Sequence, residues 1–404
     1  MTQDGADAAG RVDGEPAGLD ADLERRLTFS WADLAAITAD MPGCGGTVRA
    51  APDDFVVSEL PAYLPSGEGS HAYARVEKVG WTTRDLVRAL VEVGLEPARV
   101  GVAGLKDKVA RTEQWLSVPR RFEADAWAAL EALPGVRVLE TSRHRNKLGI
   151  GHLRGNAFRV RVRGVAPDGP SRAEAIAARL EAVGVPNYFG PQRFGRFGRN
   201  AVDGALLLRG GKVPGDVRLR RFFLSALQSQ AFNLILAERI RDGLFERLVD
   251  GDWARKHDTG GTFEVLDAAA ESPRAAAGEV SATIPLHGRK VRPSRGEAGE
   301  RETRVLAHLG LRWTDLVGRH GDRRSSRLRG VRVAVEWIEA GETSPQAPSG
   351  DAPAATATRT VGGGGDLWLA FELPKGSYAT VLLREVTKVD VDAPLDGPAS
   401  SSGP

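Results

Sequence analysis

A mixed α/β fold, with a sheet that is mixed or largely antiparallel, is what the sequence predicts. Three observations carry it: apolar residues recur at helical spacing in three stretches, they alternate with polar residues in three others, and the two kinds interleave without a regular β-α-β rhythm. The first 28 residues are rich in Asp, Gly and Ala and poor in large apolar side chains, which predicts a disordered acidic tail over 1–28. Thr82 and Thr83 can cap a helix that carries Leu86, Leu90 and Val93 on one face and stops at Gly94. Phe158, Val160 and Val162 alternate with Arg159, Arg161 and Arg163, which predicts a strand over 157–163. Ser171-Arg-Ala-Glu174 has the form of a capping box opening a helix with Ile176, Leu180 and Val183 on its inner face. A longer helix is predicted over 223–242, with Leu224, Leu227, Ala231, Leu234 and Ile235 as its apolar stripe and Gly243 as its stop. Strands follow at 331–338 and 366–373. Between them, residues 341–365 lack apolar periodicity and are expected to form a flexible insertion in the core. Its four consecutive glycines have neither GK[ST] nor GxGxxG around them, so they are no nucleotide-binding loop. A second disordered tail is expected over 389–404.

The totals bound the class. A chain of 404 residues that is 42% hydrophobic can bury more than one ordinary core, so two domains are expected. No apolar run is long enough to cross a bilayer, and the acidic N-terminus lacks a basic-then-apolar signal pattern, which predicts a cytoplasmic enzyme. The one cysteine, Cys44, rules out an intramolecular disulfide and a paired-cysteine zinc site, and the seven histidines are scattered, so no metal site is expected. The net charge of +2 conceals an asymmetry: residues 1–28 carry −4 and residues 389–404 carry −3, leaving +9 between them. A basic body between acidic tails suits a polyanionic partner, and it suits equally an arginine-rich solvated surface.

Three stretches carry chemistry. In the first, Gly104-Leu-Lys-Asp-Lys108 forms a turn between apolar runs, so Asp107 lies between two lysines with Arg111 close behind. A carboxylate in positive potential beside cations that can hold phosphates suits chemistry on a nucleotide. Seen alone, such an aspartate equally serves an Asx-type turn hydrogen bond, with solvated lysines beside it. In the second, the strand 157–163 turns three arginines to one face, which can track a phosphate backbone or protect an edge strand with charge. In the third, residues 185–200 alternate aromatics and arginines with glycines and amides; the rings can stack on bases or fill a packed turn.

Together, GLKDK followed by TEQW, then RGNAF, then VPNYFGPQRFGR resemble the TruD family of tRNA pseudouridine synthases. Weaker similarity runs from VRAAPDDFVV at 48–57 to GSYATVLLRE at 376–385, so the resemblance covers most of the chain between the tails. It implies the pseudouridine synthase fold, with a family-specific second domain inserted over 185–323 into a discontinuous catalytic core of 40–184 and 324–388, and RNA in the cleft between the lobes. It implies a reaction that detaches uracil from ribose, turns it and reattaches it through carbon, with no cofactor. The family's catalytic aspartate falls on Asp107, which either attacks the sugar or takes a proton from it after cleavage. Arg49, Phe55, Lys106, Asn156, Phe158 and Tyr378 fall at substrate-binding positions. Lys108, Arg111, Arg154, Arg193 and Arg196 are the expected contacts to RNA backbone. The chain departs from the family at Arg49, where Lys is usual, at Tyr378, where Phe is usual, and at Val109, where His is often found.

The expected function is isomerisation of uridine to pseudouridine in tRNA, at uridine 13, by a cytoplasmic monomer with no metal and no membrane attachment. The alternatives are a non-catalytic RNA-binding or RNA-folding module on the same fold, and the same chemistry on rRNA or mRNA.

Overall fold

The computed structural model describes residues 18–338 and 365–391. Of the expected unstructured segments 1–28, 341–365 and 389–404, residues 1–17, 341–364 and 392–404 lie outside the described residues. The expectation of disorder through residue 28 is corrected at its end: Ala21–Leu27 is a helix, capped by the Asp20 carboxylate and anchored by buried Leu23 and Leu27. These two leucines are too few to outweigh the surrounding acids in composition, yet at i and i+4 they make one apolar edge.

The described residues form two compact units. One comprises residues 18–35, 189–275 and 282–325; the other comprises 36–188, 276–281, 326–338 and 365–391. The segment 276–281 joins the latter, where the Arg327 guanidinium donates to Ser281 Oγ at 2.7 Å and to the Val280 carbonyl at 3.3 Å.

The larger unit is built on a nine-stranded sheet. Its strands are β1 (Thr47–Val48), β2 (Phe55–Pro61), β3 (His71–Val79), β4 (Gly101–Val102), β5 (Arg111–Pro119), β6 (Val136–His144), β7 (Leu153–Val165), β8 (Val333–Ile338) and β9 (Gly365–Pro374). They lie in the order β8-β9-β7-β2-β5-β3-β6, with β1 beside β7 and β4 beside β5. Only β2 and β5 run parallel; the other pairings are antiparallel. The sheet is therefore mixed and largely antiparallel, as its sequence predicted. Strand β7 lies inside it, between β9 and β2, so the arginines of 157–163 do not protect an edge.

The helices follow their local signals with two adjustments. Helix Thr83–Glu92 begins on a capping box in which Thr82 Oγ1 accepts from the Asp85 N–H at 3.2 Å and Asp85 accepts from the Thr82 N–H at 2.9 Å. Leu86 and Leu90 are buried beneath it, whereas Val93 is its C-cap and exposed. Helix Gly169–Val183 starts ahead of the expected Ser171 box, because Pro170 fits a first turn, where its missing N–H costs nothing. Ser171 Oγ instead donates to the Asp168 carbonyl at 3.0 Å.

In the second unit, helix Val217–Arg241 runs through the core, capped by Asp216 ahead of the charged turn that hid its start. Its buried surface is wider than the expected stripe and includes Phe223, Phe232 and Leu236. A four-stranded sheet, which lies in this unit except for Val280 and Ser281, has the order Thr262–Glu264, Trp253–Lys256, Val280–Leu286, Asp322–Ser325. No helix of the described residues is long and apolar enough to cross a membrane.

Candidate active site

The site rests on one face of β2, β7 and β9. Register places Asn156 opposite both Glu59 and Leu373, and Phe158 opposite both Val57 and Phe371. Side chains two apart on a strand share a face, so these rungs present a polar pair beside an aromatic group. Phe158 stacks on Phe371 at 5.3 Å between centroids and meets Phe55 edge-on at 6.1 Å. Arg49 lies over the Phe55 ring, 4.2 Å from its centroid. It holds a left-handed backbone, φ 62°, a conformation that bulky residues adopt only where the surroundings enforce it. Buried Asp54 takes two hydrogen bonds from the Arg163 guanidinium, at 2.7 and 2.8 Å, and one from the Ala51 N–H at 2.8 Å. Those hydrogen bonds raise the pKa of Arg163.

The turn predicted around Asp107 crosses the end of this face and is pinned from beneath. The Lys106 N–H donates to Thr83 Oγ1 at 2.8 Å, and the Thr83 N–H donates back to the Lys106 carbonyl at 3.3 Å. Thr83 Oγ1 is itself held by Gln114 Oε1 at 2.8 Å. Lys78, fully buried, donates to the Asp107 carbonyl at 2.8 Å and to the Trp81 carbonyl at 2.6 Å. Burial is the main influence on Lys78, opposed by the charge of Asp107, and lowers its pKa to about 8. Three backbone groups of the turn are thus fixed, while Asp107 itself is exposed. Among the described residues no hydrogen bond or ion pair engages its carboxylate, so this aspartate does not serve an Asx turn. A rigid backbone carrying an uncommitted carboxylate is an arrangement that holds a reacting group ready.

Lys106 joins the turn to the sheet. Its ammonium lies 3.1 Å from Glu59 Oε2 and 2.9 Å from Asn156 Oδ1. The Glu59 and Lys106 side chains are 1% and 5% exposed. The hydrogen bond to Oδ1 fixes the orientation of the Asn156 amide, leaving its NH2 as the outward donor. Tyr378 enters from the same end of the sheet: Pro374 pairs with Gly155, the Lys375 N–H donates to the Arg154 carbonyl at 3.0 Å, and the turn then leads to Tyr378, half-buried at the start of helix Ala379–Thr387.

The cations expected to hold phosphates divide sharply. Lys108 is exposed and unpaired among the described residues. Arg154 is exposed, its guanidinium 3.6 Å from Glu372. Arg111 is held by Asp53 at 2.7 Å and by Glu77 at 2.9 Å, and Glu77 also pairs with Arg137. Lys106 is paired with Glu59. The arginine row of β7 is paired throughout, Arg159 with Glu336, Arg161 with Asp366 and Arg163 with Asp54.

In the second unit, Arg193 lies over the rings of Phe189 and Phe222 at 5.3 and 5.2 Å, and exposed Arg196 over Phe197 at 5.4 Å. Phe189 and Phe194 are buried there, Phe194 stacked on Phe29 at 4.6 Å, and Tyr188 is buried in the larger unit. The aromatics of that stretch therefore fill core, with the exception of exposed Phe197.

Sequence reasoning missed Glu59, Lys78, Thr83 and Gln114. Glu59 left a signal, a carboxylate in step with Phe55 and Val57 on the inward side of β2. Lys78 left none, since it adjoins Glu77 and resembles an ordinary surface pair.

Known proteins are similar to this chain along most of its length. The family described as tRNA pseudouridine synthase D (TruD) matches residues 32–211 and 214–386. The chain is 48% identical over 356 residues to a tRNA pseudouridine synthase D of Thermus thermophilus, covering 88% of this chain and 92% of that protein. It is 47% identical over 375 residues to that of Anaeromyxobacter dehalogenans strain 2CP-1, covering 90% and 99%. A crystal structure described as a TruD protein of Methanosarcina mazei superposes with a TM-score of 0.68 at 25% identity, covering 91% of this chain and 98% of that one.

Proposed function

The chain belongs to the tRNA pseudouridine synthase D (TruD) family, and from that premise we propose that Asp107 is its catalytic carboxylate, acting on uridine 13 of tRNA. The protein is an isomerase that converts uridine in tRNA to pseudouridine. The observation that supports the assignment of Asp107 is its uncommitted, exposed carboxylate on a turn whose backbone is fixed by Lys78 and Thr83.

The reaction breaks the N1–C1′ bond, rotates the uracil and forms a C5–C1′ bond, with the C5 proton leaving and N1 gaining one. Asp107 acts on the ribose, as nucleophile toward C1′ or as base toward the sugar after cleavage. The target nucleotide has to leave the base stack to reach it. Phe158, backed by Phe371 and Phe55, offers a face for the uracil; the Asn156 NH2, oriented by Lys106, offers a donor to a uracil carbonyl. Arg49, Lys108, Arg154 and Tyr378 bound the substrate at the rim, and Lys106 acts through Asn156 as a positioning residue. Arg193 and Arg196 bind RNA backbone from the second unit.

The test is pseudouridine formation on unmodified tRNA transcripts with uridine or cytidine at position 13, comparing wild type with Asp107→Asn. Product from wild type on uridine 13 alone is expected. The variant should lose at least ~10³-fold in rate while keeping its melting temperature, since no bond of the fold uses that carboxylate. Product from Asp107→Asn at the wild-type rate would show that another residue carries the chemistry.

A further inference from the structure

The second unit contains a basic pocket that the proposed chemistry does not use. It has a volume of about 390 Å³ and is lined by Trp253, Arg255, Lys290, Arg292, Asp322 and Arg323, among others. Trp253 and Arg255 are two apart on strand Trp253–Lys256 and share a face of the four-stranded sheet. Arg323 comes from strand Asp322–Ser325, its guanidinium 5.4 Å from the Trp253 ring centroid. Only 9% of the Arg323 side chain is exposed; it is fixed by the carbonyls of Thr283 and Arg292 and by Ser294 Oγ, with Glu302 at 3.8 Å. Lys290 and Arg292 occupy the neighbouring loop, where Lys290 holds a left-handed φ of 69°.

The free cations of the lining call for an anion. Arg255, Lys290 and Arg292 are exposed, and among the described residues none is paired with a carboxylate, in contrast to the arginines of β7. The lone carboxylate of the lining, Asp322, accepts from the Arg323 N–H at 2.8 Å. A pocket with several unpaired cations suits an acceptor-rich anion. Its volume exceeds one phosphate and lies in the range that holds a nucleotide, roughly 300 Å³ and above.

We propose that this pocket binds a phosphodiester of the tRNA substrate, as a phosphate site contributed wholly by the unit that does not carry Asp107. The proposal rests on the reading of the chain as a tRNA-modifying enzyme.

The experiment measures tRNA binding by filter retention against salt concentration, and KM for the same transcript, for wild type, Arg255→Gln, Arg292→Gln and Lys212→Gln. Lys212 is a cation of the same unit outside the pocket, and its variant controls for net charge. Each pocket arginine variant should lower the slope of log affinity against log salt by about 0.7–0.9 and weaken binding at low salt several-fold, with a matching rise in KM. Wild-type slopes in both arginine variants would overturn the proposal, and so would an equal loss in Lys212→Gln. Inorganic phosphate separates a free-anion site: if it protects the Trp253 fluorescence from quenching while tRNA slopes stay at wild type, the pocket takes free phosphate and the proposal fails. Binding is read without turnover, so absence of product from the wild type would count against the enzymatic reading and leave the slopes to decide the pocket.

Discussion

The ammonium of Lys78, fully buried, donates a 2.8 Å hydrogen bond to the backbone carbonyl of Asp107, so the residue assigned to catalysis is held through its main chain and left free at its side chain. Replacement by Met would leave the Asp107 and Trp81 carbonyls without this donor and let the turn shift. Turnover of Lys78→Met should fall on the order of tenfold to a hundredfold, more in kcat than in KM, because a small displacement of a reacting group is costly. Stability should move less, since removing a buried charge offsets the lost hydrogen bonds. Single-turnover rates alongside thermal melts check this; equal losses in both would reduce Lys78 to a structural residue.

The same lysine predicts a pH dependence. Burial, chiefly, lowers its pKa from 10.5 to about 8, with Asp107 opposing and Lys106 adding to the shift. The folded protein releases this proton near pH 8, whereas the unfolded chain keeps it until about 10.5. Through that window the unfolded chain binds more protons, so the contribution of Lys78 to stability rises with pH, by about 3 kcal/mol in all. Below pH 8 the full cost of the buried ammonium is present. Urea midpoints at several pH values should show wild type gaining on Lys78→Met as pH rises through the window. Parallel curves would mean that Lys78 titrates as an exposed lysine does.

Glu59 and Lys106 form a buried pair whose members depend on each other. Glu59→Gln strands a buried ammonium and should cost about 3–5 kcal/mol. Lys106→Met should also destabilise, and it should slow catalysis by releasing the Asn156 amide. The double variant should cost less than the sum of the two by at least ~1 kcal/mol. Chemical denaturation of the four proteins measures that coupling, and strictly additive losses would show that the two side chains do not support each other.

Arg161 tests the arginine row of β7. Its guanidinium lies 2.6 Å from Asp366, which also accepts from the Gly164 N–H at 3.0 Å. Arg161→Met should lower stability by about 1–2 kcal/mol and leave the salt dependence of tRNA binding unchanged. A shallower salt slope in this variant would place RNA on that face of the sheet after all.

Much of this molecule was legible locally. The Thr82–Asp85 box, the Gly94 stop, the stripe of helix Val217–Arg241 and the alternation of β7 are each written within about two turns of chain or one strand, where spacing alone decides which side chains share a face. The motifs around Asp107, Asn156 and Phe158 carried the family and the catalytic candidate in the same way. By itself the sequence determined which residue types stand beside Asp107. Which of those cations remain available was decided only by the tertiary structure. Lys106 meets Glu59 across 47 residues, Arg111 meets Asp53 across 58, and Arg161 meets Asp366 across 205. Such partners are brought together by strand order and register, which arise from burial of the whole sheet, and no local period of the sequence encodes them.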